Sequence, residues 1–360
     1  MHALNRTAGP IAGRIHGGPQ DDEIHSLGIH RDQLLDFSVN TNPYGPCPAV
    51  VESLRAAAID RYPDPTGRSV REAMAPLLCL SPDEIALGNG AAELLWTLAR
   101  ALLHPGATAL VVEPTFCEFR AAASAVGAHV FECRAREADQ FLIDLDAVAR
   151  MISAHAVRVV YLCLPNTPTG VVLPAVDVAA WAEAHPQVVV ILDQSFLSLC
   201  ERFEDADVHM PPNVVRVRSL TKDHAIPGVR VGYLMATPEI VTRVEEQRPA
   251  WSTSSMSQAA ALTACREHRF VEQSRRKLVA DRRRMISQLR GLGLSPLEST
   301  TPYFLVWAAE ATELRTRLLT RHHILVRDCA SFGMPDFIRL AARPAPDCER
   351  LVAALKEELR

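Results

Sequence analysis

Short, nearly unbroken apolar runs alternate with helix-like segments through the middle of the chain. The runs are TALVV (Thr108–Val112), VRVVYLCL (Val157–Leu164), VVVILD (Val188–Asp193) and VVRVRSL (Val214–Leu220). Between them AAELLWTLARALL (Ala91–Leu103) and VDVAAWAEAH (Val176–His185) read as helices. Buried strands alternating with helices predict an α/β domain around a largely parallel sheet. After about Glu245 the pattern changes to long helical stretches, with strand candidates at YFLVW (Tyr303–Trp307) and FIRLAAR (Phe337–Arg343) and a closing helix. The division expected is an N-terminal arm with part of a small domain over 1–45, a large domain over 46–245, and a smaller α+β C-terminal domain over 246–360.

In a parallel sheet, chemistry collects just beyond the carboxyl ends of the strands. The polar motifs lie there. EPTF (Glu113–Phe116) follows the first run, LPNTPTG (Leu164–Gly170) the second, Asp193 ends the third, and Ser219–Lys222 follow the fourth. GNGAAE (Gly88–Glu93) opens a helix.

These groups suit one task. A lysine that forms an imine must lose its proton, against an ordinary pKa near ~10.4, so it needs desolvation or nearby positive charge. A bound aldehyde cofactor with a phosphate needs helix N-terminal amides, hydroxyls and an arginine. Lys222 supplies the amine, GNGAA the amides, Ser219 and Thr221 the hydroxyls, and Arg230 the cation. Asp193 suits the ring nitrogen of a pyridine acting as electron sink, and Phe116 could stack on that ring. Taken singly, a GNG is a turn, a strand-end aspartate a cap, and Phe116 core packing. Four consecutive strand ends each delivering a needed group is a sharper pattern.

Composition narrows the class further. Hydrophobic residues make up 48% of 360 and charged residues 22%, which is ordinary for a soluble globular protein. A formal net charge of −4 argues against a nucleic-acid surface. The basic run RRKLVADRRRM (Arg275–Met285) reads as a solvated helix face. Nine scattered cysteines without a CxxC pair fit reduced thiols in a cytoplasm, and no metal-ligand spacing occurs among the thirteen histidines. No signal peptide or membrane-length apolar run is seen. An oxidoreductase with a nucleotide fold is set aside, because no GxGxxG follows a first strand.

The chain resembles the fold-type-I pyridoxal-phosphate enzymes of the class I/II aminotransferase family, in the branch holding histidinol-phosphate aminotransferase and threonine-phosphate decarboxylase. The motifs that carry it are HGG (His16–Gly18), LDFSVNTNPYGP (Leu35–Pro46), RYPD (Arg61–Asp64), GNGAAE, PNTPTG, LDQSF (Leu192–Phe196), SLTKDHAIPGVRVGY (Ser219–Tyr233) and RLAAR (Arg339–Arg343). The resemblance implies an aspartate-aminotransferase-like fold. It implies that Lys222 holds pyridoxal 5'-phosphate as an imine and shuttles protons, that Asp193 pairs with the ring nitrogen, and that Phe116 stacks on the ring. Gly90, Ala91, Ala92, Ser219, Thr221 and Arg230 would hold the phosphate, with Tyr62 reaching in from the partner subunit of a homodimer. Arg339 would take the substrate carboxylate, and Asn42 would lie beside the substrate.

Three departures stand out. Thr167 replaces the asparagine expected to bond the cofactor's ring oxygen, Phe196 stands where tyrosine is common, and Ala92 lacks a side-chain phosphate ligand. Asn166 should point elsewhere. The expected reaction is transamination of a small, possibly phosphorylated, amino acid. Decarboxylation of O-phospho-L-threonine, with His16 and Arg343 on the substrate phosphate, is the alternative. A catalytically inactive cofactor-binding relative is a third reading, motivated by Thr167 and Ala92.

Overall fold

The computed structural model describes residues 16–201 and 208–359. The first fifteen residues of the expected arm therefore lie outside the described residues. The first strand is short, β1 (Leu35–Asp36). The large sheet is built from β2 (Ile85–Gly88), β3 (Thr108–Glu113), β4 (His129–Arg134), β5 (Val159–Cys163), β6 (Val189–Asp193), β7 (Val214–Ser219) and β8 (Gly232–Met235). Its order is β2-β8-β7-β6-β5-β3-β4, parallel except for β8, which runs against both β2 and β7. The four apolar runs are thus β3, β5, β6 and β7, all in the parallel part.

Why the runs do not alternate is visible in the packing. Ala109 and Val111 of β3 and Val159 and Tyr161 of β5 point into one cluster with Leu94, Leu95 and Leu98 of the helix Ala91–Leu102. Their neighbours Leu110, Val112, Val160 and Leu162 point into another, with Val148 and Ile152 of the helix Leu145–His155 and Val178 of the helix Ala175–Glu183. A sheet covered on both faces needs apolar residues at every position. Each such side chain, fully buried, contributes about 1.5–3 kcal/mol.

A second core lies beyond. Strands β9 (Ser295–Pro296), β10 (Tyr303–Trp307), β12 (Arg327–Asp328) and β13 (Phe337–Ala341) form an antiparallel sheet in the order β12-β13-β10-β9. β1 pairs in parallel with β11 (Ile324–Leu325). Phe304, Val306, Ile338 and Leu340 pack with Met285 and Leu289 of the helix His268–Gly291, with Leu351 and Leu355 of the last helix, and with Leu35 and Phe37. The helix Ser255–Ala264 behaves otherwise. The sequence reading groups it with the C-terminal unit, yet Ala260, Ala261 and Ala264 pack with Val50, Ile85 and Met235 against the edge of the large sheet. Its small side chains allow that close approach.

The basic run is not wholly solvated either. Arg282 is buried, donates to the Thr301 carbonyl at 3.2 Å, and is ion-paired with Glu201. Among the described residues no helix is long and apolar enough to cross a membrane.

One glycine lets β8 pass close beneath the start of the helix Ala91–Leu102. A Cβ on Gly232 would meet the Arg218 carbonyl oxygen at 2.7 Å and the Ala91 amide nitrogen at 2.9 Å, both backbone atoms that cannot swing aside. Gly232→Ala should therefore cost about 1–3 kcal/mol, read as a lower urea midpoint; an unchanged midpoint would show that the backbone yields there.

Candidate active site

β5, β6 and β7 end on a cavity of about 400 Å³. Its wall is completed by Ser38, Val39 and Asn40 after β1, by Arg327 of β12 and by Arg339 of β13. Of the residues singled out in the sequence, His16, Ala91, Ala92, Phe116, Thr167, Asp193, Phe196, Ser219, Thr221, Lys222, Arg230 and Arg339 line it together.

Lys222 sits in the short helix Leu220–Asp223, directly after β7. The Ser219 hydroxyl accepts from the Thr221 amide and lies 2.8 Å from the Thr221 hydroxyl. Burial, chiefly, pushes the Lys222 ammonium down to about 8; Arg230 and Arg339 push the same way, while Asp193 and Asp223 oppose them. That is the condition an imine-forming amine requires. Its Nζ lies 5.9 Å from the centroid of the Phe196 ring, which meets Tyr303 edge-on at 5.0 Å.

Asp193 ends β6 and is buried. Burial raises its carboxyl above the ordinary range, opposed by hydrogen bonds from Ser195 and Tyr161 and by the Lys222 charge. The Tyr161 hydroxyl donates to Oδ2 at 3.0 Å and the Ser195 amide to Oδ1 at 3.0 Å. These donors are neutral, so a cationic N–H from a bound ring would complete the site. A second corner suits a phosphate. Gly90, at φ 84°, caps the helix that Ala91 and Ala92 open. A Cβ on Gly90 would come within 2.3 Å of Arg230 Nη2, so the missing side chain lets the guanidinium reach the helix terminus. Amides, two hydroxyls and an arginine are the donor set a phosphate ester needs. The residues present fit pyridoxal 5'-phosphate.

The far wall carries two buried arginines. Arg327 and Arg339 are direct partners across the antiparallel pair β12–β13. Arg339 donates from Nη1 to the Thr167 hydroxyl at 2.7 Å and from Nη2 to the Ser38 carbonyl at 2.5 Å. Burial lowers its guanidinium to about 10. Thr167 therefore faces the cavity with its oxygen already accepting from Arg339. Asn166 does point elsewhere: its side chain bonds the Pro114 carbonyl, Thr115 and Thr169.

Four expected residues lie off the cavity wall. Gly90 stands just behind Arg230, as described. Asn42 lies off the wall; its backbone N–H donates to the Lys222 carbonyl at 3.0 Å and its Nδ2 to the Asp223 carbonyl at 2.9 Å, so it clasps the lysine loop through its backbone. Arg343 is drawn away by Asp347 at 2.8 Å and by the Asp36 carbonyl at 3.1 Å. Tyr62 is 78% exposed and stacks on Trp251 at 4.6 Å.

Sequence reasoning passed over Arg327, Glu118, Ser38 and Tyr161. Tyr161 lay hidden in an apolar run. Arg327, in HHILVRD, carries no motif; only its cross-strand position opposite Arg339 reveals it.

Known proteins resemble this chain in sequence and in fold. The family model for aminotransferase class I and II matches residues 32–355. A histidinol-phosphate aminotransferase of Symbiobacterium thermophilum is 32% identical over 350 residues, spanning 96% of this chain and 95% of its own. The crystal structure of histidinol-phosphate aminotransferase from Sinorhizobium meliloti in complex with pyridoxal-5'-phosphate superposes with a TM-score of 0.86 at 26% identity, covering 99% of this chain and 98% of that one. The L-threonine-O-3-phosphate decarboxylase from Porphyromonas gingivalis shares the fold, with a TM-score of 0.79 at 23% identity over 91% and 99% of the two chains.

The depressed Lys222 has a measurable consequence. Attachment of pyridoxal phosphate to the apoprotein, trapped with borohydride, should accelerate about tenfold per pH unit below about 8 and level off above it. In Lys222→Ala the yellow colour should be absent; a plateau only above pH 10 would contradict the buried, depressed amine.

Proposed function

The chain belongs to aminotransferase class I and II and is a pyridoxal-phosphate-dependent transaminase, and we propose that its substrate is a small amino compound with a distal phosphate, histidinol phosphate first among them. The observation that carries this reading is the buried pair Arg327 and Arg339. Like charges directly opposite on neighbouring strands repel. A carboxylate is matched by one such arginine, whereas a dianionic phosphate has the charge and oxygens to engage two. The relatives at about this identity carry the same substrate in their names.

When bound, the cofactor supplies an electron sink for negative charge at the substrate Cα. Lys222 would hold the cofactor through its amine and carry the proton at the substrate Cα. Asp193, kept among neutral donors, pairs with the ring nitrogen. Ala91, Ala92, Ser219, Thr221 and Arg230 hold the cofactor phosphate, and Phe116 lies against the ring. Arg339, oriented by Thr167 and Ser38, takes the substrate anion with Arg327. Decarboxylation of O-phospho-L-threonine is the second reading, favoured by one feature, the placement of His16 on the cavity rim. The same two arginines serve it.

The working unit in this reading is a homodimer. Ile59, Tyr62, Leu77, Trp251 and Met256 are large apolar side chains left exposed, and Tyr62 reaches the partner's cofactor phosphate. Mixing inactive Lys222→Ala with impaired Tyr62→Ala subunits should then restore about a quarter of wild-type activity, because hybrid dimers rebuild one complete site in each. No recovery would place Tyr62 in its own subunit's site or outside both.

The reaction itself is tested directly. With histidinol phosphate and 2-oxoglutarate, glutamate should accumulate. Carbon dioxide from O-phosphothreonine without any acceptor would overturn transamination, and a colourless wild type after cofactor addition would remove the enzyme reading. Arg327→Gln should raise KM for the phosphorylated substrate roughly ten- to hundredfold, the effect of losing a hydrogen-bonded charge pair worth about 1.5–3 kcal/mol, and far less for histidinol.

A further inference from the structure

A carboxylate stands on the wall of this anion-seeking cavity and has no place in the chemistry so far. Besides Asp193, Glu118 is the only acid among the described residues that line it. Left bare, it would repel a phosphate. It is not bare. Glu118 is 5% exposed; its Oε1 lies 3.0 Å from His16 Nε2, and its Oε2 accepts from the Trp96 indole N–H at 2.6 Å. Trp96 belongs to the helix that opens at Ala91, and Glu118 opens the next helix, Glu118–Ala125. Cys117 also faces the pair, but burial, with Glu118 second, raises its thiol above the ordinary range, so it adds no charge.

The segment that follows His16 lies tight against Ser38. A Cβ on Gly17 would lie 2.4 Å from the Ser38 carbonyl oxygen, and the Gly18 amide donates to the Ser38 hydroxyl at 2.8 Å. That same Ser38 carbonyl accepts from Arg339. The imidazole sits 5.6 Å from the Phe116 ring, tilted by 45°, with its side chain 46% exposed. It is therefore on the rim, beside the ring wall, and not packed away in the core.

We infer that Glu118, braced by Trp96, is a positioning residue that fixes the His16 imidazole on the cavity rim and so sets the preference for substrates whose distal anion reaches that rim. The inference rests on the reading of a phosphorylated substrate. Chemically it divides the labour at the far end: Arg327 and Arg339 supply fixed charge from the sheet, and His16 closes over the anion from the arm. Glu118 engages Nε2 of the ring and leaves Nδ1 to face an anion.

A double-mutant cycle on the loaded enzyme tests this. His16→Ala and Glu118→Gln should each raise KM for histidinol phosphate about tenfold more than KM for histidinol, with kcat moving less than KM, and the double variant should match His16→Ala alone. Glutamine keeps the size and can still accept from the indole, but its second polar atom is an N–H donor, so a His16 N–H loses its acceptor while the fold survives. Gly17→Ala, which lifts the arm off Ser38, should reproduce the same split. Calorimetry with inorganic phosphate on the holoenzyme gives a reading that needs no turnover, and its affinity should fall in the same variants. Additive effects of His16→Ala and Glu118→Gln, or equal losses for both substrates, would overturn the positioning role. A wild type that turns over neither compound would instead sink the substrate reading, and the phosphate titration would still judge the brace.

Discussion

The site depends on keeping the Lys222 amine out of water. An ammonium whose pKa falls from 10.5 to about 8 destabilises the folded protein by about 3 kcal/mol at neutral pH. The sign follows from linkage: the cost is fully present below pH 8, shrinks as the pH rises, and is gone above 10.5. The two apolar clusters on either face of the large sheet offset it. That is why the four strands ending around the cavity are apolar at nearly every position, and why the reactive groups appear only where those strands stop. Asp193 obeys the same constraint with the opposite charge, since burial favours its neutral form unless a cation arrives.

Two cores have to meet for the cavity to exist. The strand ends of the large sheet carry the lysine and the aspartate, and the antiparallel sheet carries Arg327 and Arg339. Placing two guanidinium groups opposite one another in a buried sheet is unfavourable in isolation, and Thr167, Ser38 and Ser331 hold their hydrogen bonds in place. Two of those three partners come from other units of the chain: Thr167 from the loop after β5, and Ser38 from the segment after β1. The anion-binding end is therefore assembled from three distant stretches of sequence, and any relative shift of the two cores changes it.

This explains what could be read from the chain and what could not. Strand ends were legible because a parallel sheet forces chemistry to one edge, and Lys222, Asp193, Thr167 and Phe116 all followed from that rule. The strand Tyr303–Trp307 was legible to the residue, being a compact apolar run. Asn42 and Arg343 lie off the cavity wall for one reason: a polar residue in a motif can serve the protein's own framework as well as a ligand. Asn42 spends its amide on the carbonyl of Asp223, and Arg343 spends its guanidinium on Asp36 and Asp347. Arg327 and Glu118 were silent because their meaning lies in a cross-strand partner and in an indole twenty-two residues upstream, neither of which any local pattern encodes.

Thr167 shows how one substitution is absorbed by this arrangement. An asparagine amide offers both a donor and an acceptor on separate atoms; a threonine hydroxyl must do both with one oxygen. Here that oxygen accepts from Arg339, which leaves a single proton for whatever occupies the cavity. Asn166 cannot take over, since its amide staples the loop to Pro114 and Thr169 while its oxygen accepts from Thr115. Phe196 offers no hydroxyl. The arginine and the cavity thus share one hydroxyl, and the orientation of Arg339 is bound to the same atom that faces the cavity. In a site built this way, an anion that engages Arg339 pulls on the same Thr167 oxygen that faces the cavity.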